Sequence, residues 1–210
     1  MSYAVKEIFK TLQGEGAQAG RAAVFCRFAG CNLWSGRESG RSEAVCGFCD
    51  TDFVGIDGPG GGRFPAAARL AQAICEAWGP GEDRRLAVFT GGEPLLQLDD
   101  ALIAAVHALG FRVAVESNGT MEAPRGIDWL CVSPKAGAPL RQMRGQELKL
   151  VYPQEGAPPE LFEGLEFEHF FLQPMDGPER VRNTALAVAY CIDHPSWRVS
   201  LQTHKLMGIP

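Results

Sequence analysis

The chain reads as an α/β protein built on a mostly parallel sheet with flanking helices, and three observations carry that reading. Apolar runs such as RLAVFT, FRVAVES, ELKLVY and HFFLQP alternate with stretches of helical period, the order that βαβ units produce. These runs are near-continuously apolar, as strands buried on both faces are. Several end in polar motifs, TGGEP, ESNGT, SPK and LQP, and function in α/β sheets collects at the carboxyl ends of strands.

Taken in order, AAVFCRFAG is an early strand whose alternation turns Cys26 into the sheet or core. The Gly-rich break DGPGGGR, residues 57–63, is a loop leading into a helix that starts near Pro65. AAARLAQAICEAW then carries Leu70, Ile74, Ala77 and Trp78 at helical spacing. RLAVFT, residues 85–90, is a short buried strand ending in GGEP, and QLDDALIAAVHALG is a helix stopped at Gly110. FRVAVES, WLCVSPK, ELKLVY and HFFLQP supply further strands. GPERVRNTALAVAYCIDH is a helix, and WRVSLQT is the closing strand.

The 210 residues suit one domain, 1–210, with a sizeable buried core. Hydrophobic residues at 46% and charged residues at 21% are ordinary for a globular protein. A net charge of -5 argues against nucleic-acid binding, which needs a basic surface. No apolar run approaches the roughly eighteen residues of a membrane span, and MSYAVKEIFKTLQGEGAQAG lacks the layout of a signal peptide. The expected compartment is the cytoplasm. There the seven cysteines are ligands or core residues in preference to disulfide partners.

Cys31 is followed, after fourteen residues, by the Cys-x-x-Cys pair Cys46 and Cys49. Cys26, Cys75, Cys131 and Cys191 each sit among apolar residues and read as core packing. A zinc site would recruit Cys26 as the fourth ligand beside the other three. Without Cys26, three thiolates leave one coordination position open, which marks a reactive centre and not a structural one.

GCN and CGFCDT, with the aromatic Phe48 inside the pair, resemble the radical S-adenosylmethionine (SAM) superfamily. Within it, the chain resembles the 7-carboxy-7-deazaguanine synthase family. The matching stretches are IFKTLQGEGAQAGRAAVFCRFAGCNLW, CGFCDTDF, TGGEPLLQ, ESNGT, VSPK, ELKLVY, FFLQP and SLQTHKLMGIP. The long first cysteine gap departs from the shorter spacing common in both groups and makes residues 32–45 an insertion. Its charges Arg37, Glu38 and Arg41 read as a solvated loop face.

The resemblance implies a partial (β/α) barrel with a 4Fe–4S cluster on Cys31, Cys46 and Cys49. It implies SAM held by Phe48, Gly91, Gly92 and Glu93, with Ser117, Ser133, Lys135 and Gln173 meeting its ribose and carboxylate. Lys135 answers the carboxylate by charge, and Glu93 accepts from the amino group. Leu12, Gln13, Gly14, Glu15, Arg27, Thr90, His204 and Pro210 become substrate contacts. Among these, Gln13 and Glu15 suit a flat multi-donor ring, and the Arg27 fork suits a carboxylate. A terminal carboxylate at Pro210 reaching the pocket belongs to the same expectation. Mg²⁺ falls to Thr51, with Asp50 through water; the alternative for Asp50 or Asp52 is a cap on a following helix. His107 and His169 read as ordinary.

The implied reaction takes 6-carboxy-5,6,7,8-tetrahydropterin to 7-carboxy-7-deazaguanine with loss of ammonia. It is started by a 5′-deoxyadenosyl radical drawn from SAM, with no catalytic side chain beyond the cofactor and metal ligands. Implied partners are an electron donor such as flavodoxin or ferredoxin and a second copy of the chain in a homodimer. Two other readings stand beside it: an activase for a glycyl-radical enzyme, and a zinc-stabilised binding module.

Overall fold

A computed structural model describes residues 2–210. Nine strands form one sheet in the order β3-β1-β2-β4-β5-β6-β7-β8-β9. β1 (Tyr3–Leu12) pairs antiparallel with β2 (Ala22–Phe28) and with the edge strand β3 (Gly62–Phe64). From β2 outward every pairing is parallel, through β4 (Leu86–Gly91), β5 (Arg112–Ser117), β6 (Trp129–Val132), β7 (Arg144–Tyr152), β8 (Glu166–Pro174) and β9 (Trp197–Val199). The sheet is mixed α/β and mostly parallel, with β3 and β9 at its edges.

Strand period decides what each face does. Side chains alternate along a strand, and Val24, Cys26 and Phe28 of β2, Phe89 of β4, Val113 and Val115 of β5, and Leu148 and Leu150 of β7 all join the main core. Against them pack α1 (Ala67–Trp78) and α2 (Asp100–Ala108), through Leu70, Ile74, Trp78, Leu102, Ile103 and Val106. α3 (Arg180–Asp193) adds Ala187 at the β8–β9 end. The side chains between these positions, Arg27, Thr90, Glu116, Cys131, Lys149 and Gln173, line a pocket on the other face. A smaller apolar cluster of Ala23, Phe25, Leu86, Val88 and Ala114 floors that face away from the strand ends.

The expected helices and interior strands form close to where their periodicity puts them, and three elements differ. β1 escapes the alternation rule because its register shifts between Val5 and Glu7, which lets Val5 and Ile8 both reach the core. The Gly-rich break is not all loop: its last residues extend along β1 as β3. The closing strand stops at Val199, and Thr203–Met207 form the short helix α4. Just past the strand Ser200 is buried, its hydroxyl donating to Gln173 at 3.0 Å and accepting from the Gly16 amide at 2.9 Å.

Candidate functional site

The pocket encloses about 410 Å³, within the range of small-molecule sites. Its wall is continuous from the loop after β1 to α4. The parts far apart in sequence are tied together directly: Thr203 N–H donates to the Gly14 carbonyl at 3.0 Å, and the Thr11 hydroxyl donates to the Pro210 carbonyl at 3.0 Å. Gly14 is required by this closure, since a Cβ there would sit 2.2 Å from Nδ1 of His204.

One end of the pocket carries thiols. Cys31, Cys46 and Cys49 all line it. Burial pushes the Cys31 thiol up. The neighbouring Cys46 thiol brings Cys49 down to about 6 and is itself raised. The loop bearing Cys31 is pinned from several sides. Glu93 N–H donates to the Gly30 carbonyl at 3.0 Å, and Asn32 bonds both Thr120 (2.8 Å) and Asn118 (2.9 Å). Gly92 lies so close that a Cβ would stand 2.1 Å from the Gly30 oxygen and 2.6 Å from Cys31 Cβ. Among the described residues no three His, Cys, Asp or Glu side chains converge to hold a single metal ion. Cys26 is fully buried on the helix-facing side of β2, so the zinc site that recruits it is excluded. Three thiols facing one cavity are the donor type that iron–sulfur clusters take.

Next to the thiols stand Phe48, Gly91, Gly92, Ser117, Ser133, Lys135 and Gln173. Lys135 Nζ donates to the Ser133 hydroxyl and carbonyl, both at 2.6 Å, and burial lowers its pKa. Of all the residues expected in the site, only Glu93 does not line the pocket. It is completely buried behind the glycines. There Oε1 accepts from Ser117 Oγ (2.8 Å) and Leu95 N–H (3.0 Å), and Oε2 from Asn118 N–H (2.7 Å). Its carboxylate joins the strand ends of β4 and β5.

Further along the wall come Leu12, Gln13, Gly14, Glu15, Arg27, Thr90, His204 and Pro210. Arg27 Nε donates to Glu7 Oε1 at 2.7 Å, leaving its remaining guanidinium donors for the cavity. Glu15 forms a buried ion pair with Lys149, and Gln202 donates to it at 3.0 Å. Burial alone would raise the Glu15 carboxyl, but Lys149 outweighs it and holds the group at about 2. Lys149 also stands 3.8 Å from Glu116, which accepts from Gln13 (2.9 Å) and Thr90 (3.2 Å).

The Lys149–Glu116 pair was missed by sequence reasoning. The signal was a lysine inside ELKLVY and a glutamate inside FRVAVES, charges that an otherwise apolar buried strand does not carry without a partner.

Thr51 lines the pocket. Neither flanking aspartate caps a helix, because none follows before α1. Asp50 accepts from Lys205 at 2.6 Å, and Asp52 pairs with Lys6 at 2.9 Å. Lys205 also reaches Asp176 at 2.6 Å, so one ammonium holds α4 to the segments after Cys49 and after β8. His204 lies in α4, not on a strand. His107 pairs with Asp128 at 2.9 Å, and His169 packs beside Trp129. Arg41 is no solvated loop charge: it stacks on Trp34, its guanidinium 4.2 Å from the ring centroid. Cys131, read as core, also lines the pocket.

Comparison with known proteins gives a consistent result. The chain is 69% identical over 210 residues to the 7-carboxy-7-deazaguanine synthase of Bordetella pertussis, covering all of both chains. It is 68% identical to that of Caulobacter vibrioides, again over the whole of both. A more distant relative of the same name, from Neisseria meningitidis, is 30% identical over 99% of this chain and 94% of its own length. The crystal structure of QueE from Escherichia coli superposes with a TM-score of 0.70 at 26% identity, covering 96% of this chain and 94% of that one. No family model matches the chain.

Proposed function

The chain belongs to the 7-carboxy-7-deazaguanine synthase family, and from that premise we propose that its pocket converts 6-carboxy-5,6,7,8-tetrahydropterin to 7-carboxy-7-deazaguanine with loss of ammonia. It is an enzyme of the radical SAM lyase kind. The observation that carries the residue assignment is the pocket itself. Every expected ligand but Glu93 lines one cavity, thiols at one end and a glutamate–lysine wall along the side.

Cys31, Cys46 and Cys49 would hold the 4Fe–4S cluster. When bound, the cluster and SAM supply a radical able to abstract hydrogen from carbon, chemistry that side chains do not provide. Gly91 and Gly92 offer backbone at close range. Ser117, Ser133, Lys135 and Gln173 would meet the polar groups of SAM, with Phe48 against it. Glu93 contributes by fixing the turns that carry these groups. Glu15 and Gln13 would bind the ring edge of the pterin, and Arg27 its carboxylate, with Leu12, Gly14, Thr90, His204 and Pro210 closing round it. Glu15 is kept ionised by Lys149, so it accepts from ring N–H groups throughout the neutral range. Thr51 is the proposed Mg²⁺ ligand. Asp50, tied to Lys205, would reach the ion only through water.

The sheet is read as a partial barrel, because the loop after β1 meets residues that follow β9 across one cavity. A homodimer, a flavodoxin or ferredoxin donor and a cytoplasmic location complete the proposal. No helix of the described residues is long and apolar enough to cross a membrane. Anaerobically reconstituted protein, given the pterin, SAM, Mg²⁺ and a reductant, should yield 7-carboxy-7-deazaguanine by mass spectrometry. It should also carry about four iron atoms per chain. A loaded cluster with no product would overturn the substrate assignment, and a protein that binds no iron would overturn the cluster.

A further inference from the structure

We infer that Arg41, the central side chain of the insertion, is a positioning residue that braces the turn carrying Cys46 and Cys49. The guanidinium makes contacts in three directions at once. Nη1 donates to the carbonyls of Gly47 (2.8 Å) and Cys49 (2.9 Å), inside the Cys-x-x-Cys turn. Nε and Nη2 grip the two oxygens of Glu38, Nε at 2.8 Å to Oε2. Its guanidinium carbon sits over Trp34, which is buried and packs edge-on against Phe53 at 5.6 Å.

The insertion makes this possible through its shape. Residues Glu38–Glu43 form a 3-10 turn with Ala44 N–H closing on the Arg41 carbonyl at 3.2 Å, which doubles the chain back over the cysteine turn. The fixed fork of an arginine can satisfy two carbonyls and a carboxylate while its carbon sits over an indole; a lysine has a point charge and no fork. The Trp34 indole N–H donates to the Arg37 carbonyl at 3.3 Å, so the ring under the guanidinium is itself tied to the start of the turn that carries Arg41. The fourteen residues between Cys31 and Cys46 therefore act as a brace whose working part is one side chain.

This inference rests on the assignment of Cys31, Cys46 and Cys49 as cluster ligands, and its test separates the two. Wild-type, Arg41→Met and Arg41→Lys proteins are reconstituted anaerobically. Iron content, the rate of iron loss to a chelator and the electron paramagnetic resonance spectrum of the reduced cluster are then compared. In the metal-free proteins the alkylation rates of Cys46 and Cys49 are read by peptide mass spectrometry. Arg41→Met should lose iron about 10–100-fold faster, the effect typical of removing groups that orient metal ligands, with a broadened spectrum and faster alkylation of both thiols. Arg41→Lys should recover only part of the difference, and it carries the test if Arg41→Met does not fold. Wild-type rates and spectra in the folded variants would overturn the brace. A wild-type protein that binds no iron would instead remove the ligand assignment on which the brace depends.

Discussion

At the scale of single residues, the pocket wall is governed by Lys149. It neutralises Glu15 and stands beside Glu116, so its removal leaves two carboxylates facing each other with no cation between them. Lys149→Met should cost about 3–5 kcal/mol in denaturant unfolding, the range for breaking a buried pair, and should weaken pterin binding measured by calorimetry. The same pair sets an acid limit. The folded carboxyl of Glu15 lies at about 2, below its ordinary 4.5, so folding keeps it ionised more readily than unfolding does. Its contribution is then complete above about 4.5 and disappears as pH falls through about 2. Wild type should lose stability across that window, and Glu15→Gln should show a flatter profile there; an unchanged profile would mean that Glu15 is not held low. The sequence offered Glu15 through its motif but could not offer its partner. Nothing local in LQGEG indicates that a lysine more than a hundred residues later arrives beneath it.

At the scale of elements, what was legible is what periodicity writes. α1 buries Leu70, Ile74 and Trp78 as its spacing requires, and the parallel strands end in the polar motifs that line the pocket. β1 was hidden by its bulge and α4 by its shortness, and both matter to the site. The loop after β1 and the segment entering α4 share the Gly14–Thr203 bonds, the amide at 3.0 Å and the hydroxyl at 2.9 Å. The His204 ring fills the space over Gly14. Gly14→Ala places a methyl group against three ring and Cβ atoms of His204, all nearer than 3.0 Å, so α4 must move outward. The expected result is a rise of about tenfold in pterin KM, equivalent to about 1.4 kcal/mol. The melting temperature should change little, because neither residue belongs to the main core. Equal KM in the variant would show that α4 does not bound the substrate.

At the scale of the whole molecule, the sheet separates stability from chemistry. The main core draws on the helix-facing side chains of the strands and on α1, α2 and α3, and none of its buried members comes from residues 29–69. The cysteine loop is held instead by its own small set of contacts. These include Trp34 against Phe53, Arg41 over the cysteine turn, the Asn32 bonds to Asn118 and Thr120, and the ion pairs of Lys205 with Asp50 and Lys6 with Asp52. This division was not readable in the sequence, where the apolar residues Trp34 and Phe53 look like any other core contributors. It becomes visible only when alternation along nine strands is resolved into two faces. Local stability follows local contact density, so removing iron should release the loop and leave the scaffold standing. Protein stripped with a chelator should retain its far-ultraviolet circular dichroism and unfold in a single transition. Hydrogen exchange should then accelerate within residues 31–54 and stay slow in β4, β5 and β7, whose apolar side chains are sealed by the helices. Loss of protection spreading into those strands would mean that the cluster is part of the fold's own cooperative unit, and that the two faces of the sheet are not energetically separate.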